Sequence, residues 1–284
     1  MAELAAARST RFDGRLWFGA IVIGLLFVTA AFAPWLAPRD PLEQDLMAGL
    51  LPPSFLPGGD PLYLLGTDSL GRDVLSRLIY GARVAVTVAV VAALLAAILG
   101  TVLGLLAGWL GGWVDELISR LVDIWMAFPP VLLSIVLVAV VGAGLPAVIL
   151  AIVVIDWTRF CRVVRAEVQV QKAQDYVLAA RVIGLGRWRT LSSEILPNVA
   201  PLLLVLVTLE MGIAVIVEAI LSFVGLSVAS DWPTWGGLIA EGRTVVYQTP
   251  WLMVLPMLCI VLVVLAFNLL GDGLKDRLDP VLRR

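Results

Sequence analysis

The stretch Phe128-Pro129-Pro130-Val131-Leu132-Leu133-Ser134-Ile135-Val136-Leu137-Val138-Ala139-Val140-Val141-Gly142-Ala143-Gly144-Leu145-Pro146-Ala147-Val148-Ile149-Leu150-Ala151-Ile152-Val153-Val154-Ile155 contains no ionisable side chain. A helix needs about 20 apolar residues to cross the hydrocarbon core, so this run belongs in a bilayer. Read whole, it is one long tilted span. Read through Gly142-Ala143-Gly144-Leu145-Pro146, a tight-turn composition, it is two. Each half then needs flanking residues, 121–127 on one side or 158–164 on the other, to reach full length.

The basic residues decide between the two readings. Further apolar runs lie at residues 16–37, 84–108, 201–223 and 251–270. Splitting the central stretch gives six spans. With the N-terminus inside, the cytoplasm then receives Arg8, Arg11, Arg15, Arg120, Arg159, Arg162, Arg165, Lys172, Arg181, Arg187, Arg189, Lys275, Arg277, Arg283 and Arg284. Only Arg39, Arg72, Arg77, Arg83 and Arg243 stay outside. Merging the pair would send residues 159–189, with all their arginines, to the wrong side of the positive-inside rule. The N-terminal arginines, the first apolar run and Ala31-Phe32-Ala33 also resemble a secretory signal. Pro34 obstructs cleavage there, which favours an uncleaved anchor.

Composition agrees with this reading. Of 284 residues, 61% are hydrophobic and 15% charged, too apolar for one soluble core. A net charge of -2 without a basic run argues against nucleic acid. There is no histidine, and Cys161 and Cys259 are far apart, so neither a zinc site nor the common nucleophile pairs can be assembled. No GxxxxGK[ST] loop is present, so no metal, cofactor or ATP site is expected on this chain. The fold expected is all-α and polytopic with about six transmembrane helices. Residues 1–83 would form a tail, anchor and extracytoplasmic segment. Residues 84–284 would form the core, with a cytoplasmic loop at 158–198.

Three polar stretches carry functional signals. Residues 65–77 suit a turn followed by a short helix, capped by Asp73 and ending near Gly81. In the cytoplasmic loop, Tyr176, Ala179, Ala180 and Arg181 lie on a helix that Gly184 can end, and the next helix is expected to run to Pro197. This is either a docking element, with small alanines allowing close approach of a partner, or a basic helix pair resting on lipid headgroups. Between Ala229 and Pro250, Trp232 and Trp235 suit the outer interface. Within the last-but-one span, Glu210 and Glu218 cannot face lipid without cost. They are either hydrogen-bonded between helices or line a pathway. A proton-coupled secondary transporter built on these two acids is the rival class, but no internal repeat supports it.

These stretches resemble the permease subunits of ATP-binding-cassette importers, most closely the dipeptide, oligopeptide and nickel branch. The resemblance rests on Ala179-Ala180, Gly184 and Leu196-Pro197, on residues 65–77, on Glu218-Ala219-Ile220-Leu221-Ser222-Phe223-Val224-Gly225-Leu226, and on residues 266–274 followed by Asp279-Pro280. Leu178 stands where the widespread docking motif has Glu, and Glu194 where this branch often has His. The resemblance implies a type I importer permease in a bacterial or archaeal inner membrane, both termini cytoplasmic. Tyr176, Ala179, Ala180, Arg181, Gly184, Leu196 and Pro197 would dock on two ATPase subunits that hold ATP and Mg. A homologous second permease would complete the pathway touched by Glu210 and Glu218. A substrate-binding protein would meet Asp68, Arg72, Asp73, Trp232 and Trp235 on the outer face.

Overall fold

The computed structural model describes residues 14–227 and 232–278; the expectations for Arg8, Arg11, Asp279-Pro280, Arg283 and Arg284 lie outside them. Among the described residues, a single turn at Ala33–Leu36 and ten helices account for nearly all the regular structure. They are α1 (Gly14–Ala31), α2 (Val74–Leu110), α3 (Gly112–Met126), α4 (Pro130–Val141), α5 (Leu145–Lys172), α6 (Asp175–Val182), α7 (Arg187–Thr190), α8 (Leu196–Phe223), α9 (Trp235–Thr244) and α10 (Trp251–Leu278). A π-helical turn, Leu191–Ile195, joins α7 to α8 without a break.

Among the described residues four helices are long and apolar enough to cross a membrane: α1, α2, the continuous helix 187–223, and α10. The central stretch of sequence departs from expectation. Pro129 and Pro130 stop α3, and α4 sets off at 88° to it, so the two count as at most one bent span. α4 has 12 residues, about 18 Å of helix, too short to cross alone. The second half of the stretch does extend as expected, since α5 continues to Lys172, but it gains Asp156, Arg159 and Arg162 within its first 18 residues. The all-α, polytopic architecture expected is thus present, as four apolar crossings, a bent pair, and one long helix that becomes charged partway along.

Two further boundaries move. Asp73 does cap a helix, its carboxylate accepting from the Ser76 amide, but that helix continues through Gly81 for 37 residues. At about 55 Å it is far longer than the bilayer core, so some of its turns stand beyond it. A division at residue 83 falls inside it. Nor does Pro197 end a helix. It enters α8 at the first turn after the π-helical widening, where its missing N–H is tolerated.

α2 packs most extensively against α5. Along the contact Gly100, Gly104 and Gly108 recur every fourth residue, and a β-carbon on Gly104 would sit 2.7 Å from the carbonyl oxygen of Cys161. Small residues at this spacing let two backbones touch, which is how helices gain contact where lipid removes the hydrophobic drive. α10 lies between α1 and α8, burying Phe267, Ala266 and Val263. Outward faces such as Ile98, Val102, Leu258 and Val261 remain exposed, as a bilayer-solvated surface requires.

Candidate functional site

The helices bring residues 65–77 to the same end of the bundle as α9, and α6, α7 and the ends of α2 and α5 together elsewhere. Charged side chains collect at both places and at one point between.

At the α9 end, the loop before α2 folds onto Asp68, which is fully buried. Its carboxylate accepts from Arg72 Nε at 2.6 Å, from the Leu70 and Arg72 amides, and from Arg77. Both guanidiniums reach across to Glu241 of α9, Arg72 Nη2 at 3.1 Å and Arg77 Nη1 at 2.6 Å. Two arginines and two acids thus staple the loop to α9. The Trp235 indole donates to the Leu78 carbonyl at 3.0 Å and lies against Gly81. Asp68, Arg72, Asp73 and Trp235 are therefore buried supports. Of the residues expected on an outer contact surface, only Trp232, 55% exposed, presents its side chain.

Midway along α5 and α8, Glu210 is 1% exposed and its Oε2 accepts from Arg159 Nη1 at 2.9 Å. Asp156, also buried, lies 3.6 Å from the same guanidinium. The Arg159 side chain keeps 43% of its surface free. Sequence reading put Arg159 in a cytoplasmic loop; the extension of α5 carries it against Glu210 instead. The signal was present in Asp156 and Arg159, one turn apart directly after an uncharged run. Glu218, two turns along α8, is held separately by the hydroxyls of Ser222 and Ser227. The two glutamates share a helix but no partner.

At the far end, α6 is a two-turn helix closed by Gly184 at φ +83°. The Leu185 amide donates to the Ala180 carbonyl and the Gly184 amide to the Arg181 carbonyl, both at 3.0 Å. This is a complete Schellman motif, whose left-handed position favours glycine. Val177 packs with Trp109, Val168 and Ile195, and Ala180 is also buried. Ala180 is thus not available to a partner; its neighbour Ala179 is exposed. The outward surface carries Leu178, noted in the sequence only as a departure from the docking motif, together with Val182 at 87% and Ile183 at 77% exposure, which sequence reading passed over. Tyr176 is half-buried, its hydroxyl donating to Gln171 at 2.7 Å, and burial raises its pKa above the usual phenol value. Arg181 is exposed, and Leu196 and Pro197 lie on the first turn of α8.

Comparison with known proteins agrees with this architecture. Residues 100–284 match the family described as binding-protein-dependent transport system inner membrane component. Residues 15–53 match the N-terminal transmembrane domain of oligopeptide transport permease C. A dipeptide transport system permease protein, DppC, from Escherichia coli strain K12 is 46% identical over 93% of this chain and 89% of its own length. The di/tripeptide permease DppC of Pseudomonas aeruginosa is 43% identical, covering 93% of this chain and 88% of that protein. A glutathione permease, GsiD, of Shigella dysenteriae is 41% identical over 93% of this chain and 86% of its own. Among solved structures, a chain of the MetNI methionine ABC transporter in an inward-facing conformation superposes with a TM-score of 0.60. It shares 18% identity over 72% of this chain and 96% of its own, a likeness of fold. With both a family match over most of its length and relatives above 40% identity, the chain belongs to the inner-membrane permease components of binding-protein-dependent transport systems.

Proposed function

We propose that this chain is the permease subunit of an importer for dipeptides or short oligopeptides, working by alternating access while two separate ATPase subunits hold ATP and Mg. The observation that carries the coupling half of this reading is α6. It is a short helix outside the spans, locked by a Schellman turn, that presents Leu178, Val182 and Ile183 outward with nothing among the described residues to cover them. Exposed apolar side chains on a rigid, polar-flanked mount suit a protein partner better than water. The names of the relatives supply the solute class. A homologous second permease completes the pathway, and a substrate-binding protein meets the outer face at Trp232 and the rim of the Asp68–Glu241 staple.

In this assembly Glu210 acts on the pathway through Arg159, which it orients, while Glu218 is a buried support of α8. Both termini and α6 lie in the cytoplasm. A single cysteine in place of the exposed Arg189 is therefore expected to be blocked by membrane-impermeant thiol reagent only in inverted vesicles. Blocking in intact cells would reverse the orientation.

Uptake tests the function directly. In a host deleted for this chain but retaining its partners, labelled dipeptide uptake is expected to fall to background and to return with the wild-type gene. Ile183→Asp and Gly184→Val are expected to reach the membrane in normal amount yet restore less than a tenth of uptake. The first places a charge in an apolar contact; the second forces a β-branched residue into a left-handed turn. Undiminished dipeptide uptake in the deletion host would remove the substrate assignment, and full rescue by both variants would remove α6 as the coupling element.

A further inference from the structure

Behind α6 lies a cavity of about 350 Å³ lined by Trp109, Lys172, Arg181, Leu185, Arg187 and Thr190. Four elements meet there: the end of α2, the end of α5, α6 with its Schellman turn, and α7. Its walls are unusual in charge. Lys172, Arg181 and Arg187 converge on it, and none has a carboxylate partner among the described residues. Two of the cations are held in place by one aromatic ring. Lys172 Nζ donates to the Trp109 carbonyl at 2.9 Å and stands 5.7 Å from the ring centre, and Arg181 Cζ stands 5.4 Å from it. The indole Nε1 of Trp109 is buried and has no acceptor among the described residues. Asp115, close enough for Lys172 to act on its carboxylate, already accepts through both oxygens from one edge of the Arg165 guanidinium, Nε and Nη2.

Three cations without a carboxylate hydrogen-bond partner among the described residues stand around one hollow and repel one another, and an anion between them relieves that repulsion. We infer that the cavity behind α6 binds a phosphate group, supplied by the headgroup of an acidic phospholipid or by free inorganic phosphate. The volume falls in the range of small-ligand sites, and arginine forks match phosphate oxygens in pairs. Trp109 closes a membrane-spanning helix, the depth at which headgroups lie. Occupancy ties Arg181 on α6 to Lys172 and Arg187 on either side of it, stiffening the mount of the exposed apolar surface. This site does not depend on which solute is transported.

The test uses the full-length chain, purified in neutral detergent and stripped of lipid. Native mass spectrometry reads retention of dioleoylphosphatidylglycerol against dioleoylphosphatidylcholine, and calorimetry reads binding of inorganic phosphate. Wild-type protein is expected to bind phosphatidylglycerol in preference to phosphatidylcholine, or phosphate saturably. The first without displacement by phosphate identifies the lipid as the source; phosphate binding without lipid preference identifies the free ion. In the Arg181→Gln/Arg187→Gln double variant, whose altered side chains are exposed and whose fold is checked by circular dichroism, affinity should fall at least tenfold. Arg120→Gln, on an exposed face of α3, should bind as wild type. No binding of either probe, or equal binding by wild type and double variant, overturns the site.

Discussion

Replacing Asp68 by alanine is expected to destabilise the folded chain by about 3–5 kcal/mol, the largest loss of any single change at the α9 end of the bundle. The carboxylate is fully buried and accepts from two guanidiniums and two backbone amides. Removing it leaves Arg72 and Arg77, both nearly buried, with only Glu241 to neutralise them, and strips two amides of their acceptor. An uncompensated buried charge costs far more than the intact pair contributes, because desolvation has already been incurred. Glu241 makes the useful contrast. Its side chain is 34% exposed, so water and salt screen its bonds, and Glu241→Gln is expected to cost only about 1 kcal/mol. Thermal unfolding in detergent should therefore rank wild type, Glu241→Gln and Asp68→Ala in falling order with a wide second gap. Asp68→Ala melting with wild type would mean that the four-charge staple does not hold α9 to α2.

That staple also shows where sequence reading stops. The apolar runs at 16–37, 84–108, 201–223 and 251–270 each lie within or largely on a helix, because a bilayer imposes length and composition on every segment that crosses it. Asp73 and Gly184 were legible for local reasons: a carboxylate three residues before an amide it can accept from, and a glycine where a left-handed turn is needed. The extent of α2 was not, since Gly81-Ala82-Arg83 reads as a break unless one knows that Trp235 packs on Gly81. Pro129-Pro130, inside an uncharged apolar run, was not read as a break, yet the 88° bend lies there. Harder still are pairings such as Arg72 and Arg77 with Glu241, which lie 169 and 164 residues apart. Nothing local specifies them. Residues 68, 72 and 73 therefore read as an exposed polar patch, when most of that polarity is consumed within the chain. The same limit applied to Ala180, whose small side chain signals a close approach without saying to what.

The second large effect is expected at Arg159 and Glu210, and its size depends on which partner is removed. Arg159→Leu leaves Glu210, 1% exposed, as a buried carboxylate without its cation and with Asp156 close by, so about 3 kcal/mol of stability should be lost. The figure sits at the low end for a buried pair because 43% of the arginine side chain is free. Glu210→Leu is expected to cost less, since Asp156 still faces the guanidinium and the arginine can turn towards its open side. The double variant Arg159→Leu/Glu210→Leu should recover most of what the arginine change alone loses, because two apolar side chains of similar bulk can replace an ion pair between helices with little net cost. Function should not recover with it. If Arg159 works in the pathway, presented there by Glu210, then the double variant and Glu210→Gln will both assemble and both transport poorly. Glu210→Gln retains the size of the side chain but loses the charge that fixes the guanidinium. Measuring membrane abundance and dipeptide uptake on the same four variants separates these roles. Recovery of abundance together with uptake in the double variant would make the pair a packing device alone. Recovery of abundance without uptake would show that the arginine, held by two acids and open on one face, is needed for transport.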